Sequence, residues 1–145
     1  MMKIIKLISI FFIVVILINP VKANNFFFKE GLKKFNEKKY KDSKFLFQRS
    51  IVFNPKDHNS YLYLAKIYKF EDNKKEEQKN INTVLLLDPK NEEANYLLME
   101  IELKKSNYSK VRELAKNFKK FCIKLCDKEN LILESLKDLE PKNES

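Results

Sequence analysis

A four-residue phrase occurs twice, as Asn54-Pro55-Lys56-Asp57 and Asp88-Pro89-Lys90-Asn91, with its prolines thirty-four residues apart. That period belongs to arrays of helix-turn-helix units, in which no unit buries its apolar side alone. The residue before a proline is pushed out of the helical region, so each phrase ends a helix. The polar residues that follow suit the opening of the next one.

The rest of the chain agrees with helices. One Gly and four Pro in 145 residues leave little turn chemistry for β-hairpins. Hydrophobic residues at 44% beside charged residues at 34% fit a folded, highly charged helical chain better than a disordered one. The length suits one domain with a modest core.

Apolar residues recur at helical spacing from Asn24 onward. Phe28, Leu32 and Phe35 mark a first helix, with Gly31 allowing a neighbour to approach closely. A polar turn at 36–39 leads to a second helix carrying Tyr40, Ser43, Phe47, Ser50 and Ile51 on one face. The next pair carries Tyr61, Leu64, Ala65 and Tyr68, then a turn at 71–75, then Ile81, Val84, Leu85 and Leu87. A third pair has Ala94, Leu97, Leu98 and Ile101 before its turn, and Tyr108, Val111, Leu114 and Phe118 after it.

Thirty-four residues beyond Pro89 stands Ile123 rather than a proline. With nothing to stop it, the sixth helix is expected to run to about Leu125. Asp127 is then expected to cap a last helix with Ile132, Leu133, Leu136 and Leu139 on its buried side, ending before Pro141. An extra amphipathic helix of this kind suits the end of a stacked array.

Residues 24 to about 121 resemble tetratricopeptide repeats. In that family's frame the first unit supplies Phe27, Gly31, Tyr40, Ser43, Phe47, Ser50 and Pro55. The second supplies Tyr61, Leu64, Ala65, Tyr68, Val84 and Pro89, and the third Leu98, Tyr108 and Val111. Glu77 and Ile81 depart from the pattern, standing where the second unit would carry a small residue and an aromatic. The resemblance implies an all-α superhelix, a solenoid of about three helix pairs (24–57, 58–91 and 92–125) plus a C-terminal capping helix at about 128–140. Residues 142–145 remain as a tail of the 24–141 domain.

The resemblance also implies a concave groove, lined by the first helix of each pair, that holds a peptide. Its residues here would be Phe28, Leu32, Phe35, Leu62, Lys66, Lys69, Tyr96, Glu100 and Leu103. Some members clamp a terminal carboxylate with Lys and Asn. Phe28 and Leu32 occupy those two positions of the first repeat, so that specialised activity is not expected. On sequence, filling the interior remains an equal alternative for the aromatics.

Residues 1–23 read as an export signal of bacterial periplasmic type. Lys3 and Lys6 precede an apolar run at 7–18 that only Ser9 interrupts, Asn19-Pro20 breaks it, and Val21-Lys22-Ala23 offers a signal-peptidase pattern. The run of about 12 residues is shorter than the roughly 20 of a membrane span. Cleavage after Ala23 is therefore expected, with a retained anchor as the alternative. No cysteine precedes Cys122, so lipid attachment at a processed N-terminus is unsupported. Without Lys3, Lys6 and Lys22 the net charge falls from +9 to +6. That surplus favours acidic partners or anionic lipid, although the lysines are scattered as on an ordinary solvated surface.

Chemistry-bearing residues are few. His58 is the one histidine and is expected as an exposed turn residue, too little for a zinc site. Nothing suggests a catalytic residue, a metal site or a cofactor, and a single glycine cannot build a phosphate loop. Glu92, Glu93, Glu100 and Glu102 read as solvated carboxylates.

Cys122 and Cys126 are separated by four residues, a spacing a regular helix holds poorly for a disulfide. If the helix loosens near Leu125, they can staple the turn into the last helix. Otherwise they are two buried thiols.

The expected function is a non-catalytic, exported adaptor for an envelope protein or peptide segment. The competing expectation is a membrane-tethered structural component whose basic face lies on lipid. Nucleic acid is not an expected partner, and three units are few enough that a homodimer covering exposed ends is compatible with them.

Overall fold

The computed structural model describes residues 20–139. Among them are seven helices and no strand: α1 (Pro20–Asn36), α2 (Tyr40–Phe53), α3 (His58–Phe70), α4 (Lys74–Leu87), α5 (Glu92–Lys104), α6 (Tyr108–Phe118) and α7 (Cys126–Leu139). None is long and apolar enough to cross a membrane. The apolar run at 7–18 lies outside the described residues. The chain divides into two compact units, one through Ile67 and one from Tyr68, with the boundary inside α3.

The thirty-four-residue period is written into the backbone as well as the side chains. Lys38, Asp72 and Ser106 sit at that spacing between the paired helices, with positive φ of 58°, 51° and 59°. A left-handed residue after a helix lets the following N–H reach back to an orphan carbonyl. Here Asn73 N–H donates to Tyr68 O and Asn107 N–H to Glu102 O, each at 2.9 Å. Between pairs, Asn54 and Asp88 are both extended, with φ of −142° and −141°, as the following prolines require.

Side chains cap the next helices. Asn91 Oδ1 accepts Ala94 N–H at 3.0 Å. Asp57 Oδ1 accepts Ser60 N–H at 3.4 Å, while Asp57 Oδ2 takes the hydroxyls of Ser60 at 2.6 Å and Ser50 at 3.1 Å.

In the first unit α1 packs along α2. Phe47 is fully buried, and a Cβ added to Gly31 would stand 2.8 Å from its ring. Only the bare glycine admits that approach. Ser43, also fully buried, donates its hydroxyl to Gly31 O at 2.9 Å, so the contact is polar and apolar together. Burying a phenylalanine ring contributes about 1.5–3 kcal/mol.

In the second unit α4 packs on α5, α5 on α6, and α7 on both α5 and α6. Met99, Val111, Ala115, Phe118, Ile132 and Leu136 form its buried core. Leu139, expected on the inner side of α7, is instead 56% exposed, since it falls in the last turn beyond that core.

Two expected boundaries are corrected. The sixth helix ends at Phe118 rather than near Leu125. The Glu92 carboxylate, from the first residue of α5, accepts the backbone N–H groups of Ile123, Lys124 and Leu125 at 2.9, 2.9 and 2.7 Å. Those donors would have to point along the axis for the helix to continue. A long-range carboxylate does here what proline does in the other two phrases. The last helix opens at Cys126 and Asp127 lies in its first turn, so Asp127 is not its cap. There its charge favours the helix N-terminus.

Because α6 has already ended, Cys122 and Cys126 are not on one helix. Their Cα atoms are 5.3 Å apart and their sulfurs meet, inside the range a disulfide spans.

Candidate functional site

In the first unit the ring of Tyr63, from α3, gathers residues picked out by sequence. Phe28 and Phe35, both from α1, meet it edge-on with centroids 6.0 and 5.1 Å away. Phe47 stacks on it at 5.1 Å, and the Lys66 ammonium lies 4.4 Å from its centroid. Phe28, Leu32, Phe35, Tyr63 and Lys66 are half-buried. They therefore fill the interior on one side and face outward on the other. Leu62 is 6% exposed, so it does not offer a free side chain.

Nothing in the sequence marked Tyr63 as the ring that joins these residues. The available signal was an aromatic directly after Leu62 on a helix of otherwise clear stripe.

The second unit joins three more. Glu100 accepts the Tyr96 hydroxyl at 2.9 Å and pairs with Lys69. Burial first, and the Glu100 carboxylate second, push the Tyr96 hydroxyl up to about 12. The Lys128 ammonium covers the Tyr96 ring at 5.5 Å. Tyr96 and Leu103 also pack against the core supplied by α5, α6 and α7.

The acidic residues are not the solvated face that charge pattern suggested. Glu102 is 9% exposed, accepting Asn107 Nδ2 at 2.6 Å and lying 3.3 Å from the Lys105 ammonium. Its place opposite a turn, not its composition, recruits it. Glu92 is committed to the loop described above. Burial pushes its carboxyl up, but the three backbone N–H groups and Lys124 outweigh that and hold it below the ordinary range. His58 is the first residue of α3 and half-buried, not an exposed turn residue.

Near the start of α4, a cleft of about 220 Å³ is lined by Lys69, Glu77, Gln78, Ile101, Lys104 and Lys105, among others. Glu77 is 7% exposed. Burial raises its carboxyl pKa, Glu100 and Asp72 add to this, and Lys69 and Lys104 oppose it without cancelling it.

No protein-family model matches the chain, and no curated protein does. Solved structures do. The TPR2B domain of yeast Sti1 in its complex with pHsp70 aligns with a TM-score of 0.73 at 12% identity, over 82% of this chain and 99% of that one. The first TPR of Spaghetti (RPAP3), bound to the HSP90 peptide SRMEEVD, gives 0.70 at 11% identity over 81% and 96%. The Yersinia enterocolitica type III secretion translocator chaperone SycD, in an alternative dimer, gives 0.70 at 15% identity over 86% and 96%. The fold is that of tetratricopeptide repeats.

The expected all-α repeat architecture is thus borne out, and its frame gives the cleft a meaning. Ser43, Glu77 and Val111 occupy the same place in three successive repeats, and all three are buried. Ser43 and Val111 have uses there, one bonded to Gly31 and one in the core. Glu77 accepts no hydrogen bond and forms no ion pair among the described residues. The departure was visible in the sequence, but its burial beside a cleft was not.

Proposed function

We propose that this protein is a non-catalytic adaptor that is exported and binds a peptide segment of an envelope protein on the first-helix faces of its repeats. The patch around Tyr63 carries the reading. Aromatic rings and one lysine, already held by mutual packing, keep part of their surface exposed at Phe28, Phe35, Tyr63 and Lys66, so a partner gains contact area at little ordering cost. Lys66 at its margin favours acidic partners and speeds their encounter.

The solved tetratricopeptide domains named above whose complexes contain Hsp70 or an HSP90 peptide support a peptide ligand by fold analogy alone. The leader-like residues 1–23 support export. A dimer has the same kind of support, from the dimeric secretion chaperone of like fold.

Affinity capture from the exported fraction tests the adaptor. A Lys66→Glu, Leu32→Glu variant with native helicity is expected to lose its partners, and full retention would sink the reading. Both substitutions are at half-buried positions, whereas truncating Phe28 or Leu62 would also open the interior. Sequencing the mature N-terminus decides between the adaptor and the membrane-tethered alternative, because a start at Asn24 excludes a retained anchor.

A further inference from the structure

Buried carboxyl groups with no partner are costly, and a repeat frame that accepts serine or valine at the same place offers an inexpensive replacement. Glu77 comes close to this. Its side chain is largely covered, and its carboxylate oxygens reach solvent only through the cleft, since among the described residues no fully buried side-chain oxygen lacks a partner. It is more than nine-tenths buried and without a hydrogen bond among the described residues, and it lines a cleft rather than a sealed interior. A native carboxyl held at a cost, open to one side, is poised for a ligand that donates to it.

The other groups of the cleft narrow what that ligand is. Lys69 is paired with Glu100, and Lys105 lies 2.7 Å from Gln78 Oε1 and 3.3 Å from Glu102. Lys74 lies 3.9 Å from Asp72, while Lys104 has no ion pair among the described residues and its charge reaches Glu77 only through space. The site therefore offers one acceptor inside and one uncommitted cation at its edge, with Ile101 as apolar wall. Four lysines (69, 74, 104 and 105) against Asp72 and Glu77 make the lining net positive, so a bare cation would be repelled. About 220 Å³ is also less than the roughly 300 Å³ at which small-molecule sites begin. It suits one residue of a larger chain.

We propose that this cleft is a second docking site, which takes a single acidic residue of a partner's peptide segment. The residue's backbone N–H donates to Glu77, and its side-chain carboxylate pairs with Lys104. Only the peptide nature of the ligand rests on the adaptor reading. The site itself rests on Glu77 and its surroundings.

The test is fluorescence anisotropy of the purified protein with a fluorescein-labelled peptide of alternating aspartate and glycine, ending in an amide. Simple attraction of an acidic peptide to lysines predicts that Glu77→Ala, by removing a negative charge, tightens binding. The proposal predicts the opposite sign, about a tenfold loss, because the acceptor is gone.

Lys104→Ala is expected to lose a similar factor, and Lys110→Ala, which removes an exposed lysine of α6, to lose nothing. Glu77→Gln keeps the side chain's shape and weakens binding by a smaller factor, which guards against a folding defect in the alanine variant. Binding unchanged or tightened in both Glu77 variants, or equally weakened by Lys110→Ala, overturns the proposal. In the Lys66→Glu, Leu32→Glu background the losses from Glu77→Ala and Lys104→Ala are expected to persist at the same factors, so failure of the adaptor reading and failure of this site are told apart.

Discussion

Glu92 Oε2 accepts the backbone N–H of Leu125 at 2.7 Å across thirty-three residues of sequence. The same carboxylate takes two neighbouring N–H groups, and together they end α6 and place the loop that leads into α7. Hydrogen bonds to a charged group are worth about 1.5–3 kcal/mol each when one partner is removed.

Glu92→Ala is accordingly expected to cost about 2 kcal/mol, since water replaces part of what is lost at this exposed loop. Hydrogen exchange locates the effect: the amides of Ile123, Lys124 and Leu125 should lose protection while those of α2 do not change. The carboxyl's pKa is lowered on folding, so its contribution is present above the unfolded value near 4.5 and disappears as pH falls through the lower folded value. Protection of these three amides that is indifferent to acid would contradict the assignment.

Glu77 has the opposite sign. Its pKa is raised by burial, so the folded state binds the proton more readily than the unfolded one. Its penalty is absent below the unfolded value near 4.5 and grows as pH rises through the folded value. Glu77→Ala should therefore be more stable than the parent at pH 7. The gap should close toward pH 4.5. Denaturant midpoints measured at both pH values check this, and a parent more stable than the variant at pH 7 would refute it.

Gly31→Ala adds one methyl group where the Phe47 ring already stands 2.8 Å away. That ring is also stacked on Tyr63 and tilted against Phe28, so it has nowhere to retreat. Overpacking of this kind costs about 1–3 kcal/mol, outweighing alanine's better helix propensity of about 1 kcal/mol. A lowered Tm, with shifted Phe47 and Tyr63 ring resonances, is the expected outcome.

Lys38 and Ser106 hold positive φ without being glycine. A left-handed residue with a Cβ costs roughly 1–2 kcal/mol, of which glycine's greater unfolded-state freedom takes back a part. Ser106→Gly and Lys38→Gly should each raise stability by about 0.5–1 kcal/mol, additively because the turns lie far apart in sequence and share no partner. Thermal melts of the single and double variants read this directly.

Cys122→Ser is expected to cost no more than the ~3 kcal/mol of a fifteen-residue loop, since the loop closed here is far shorter. Thiol counting on denatured, non-reduced protein from the exported fraction should find none free. Two free thiols would leave Glu92 alone to hold the loop.

Local rules were enough for much of this fold. Two prolines at one period, a polar turn between paired stripes, and small residues at Gly31 and Ser43 define helix ends and faces through interactions a few residues long, and those are legible in order along a chain. What sequence alone could not decide were the places where a side chain acts on backbone or rings distant in the chain. Glu92 stopping α6, Tyr63 collecting Phe28 and Phe35, and Glu77 left without a partner beside a cleft all depend on which helices lie side by side. A carboxylate reads the same on paper whether it is solvated, tied to three amides or buried. Only packing removes water from it, and the loss of water gives each its separate role.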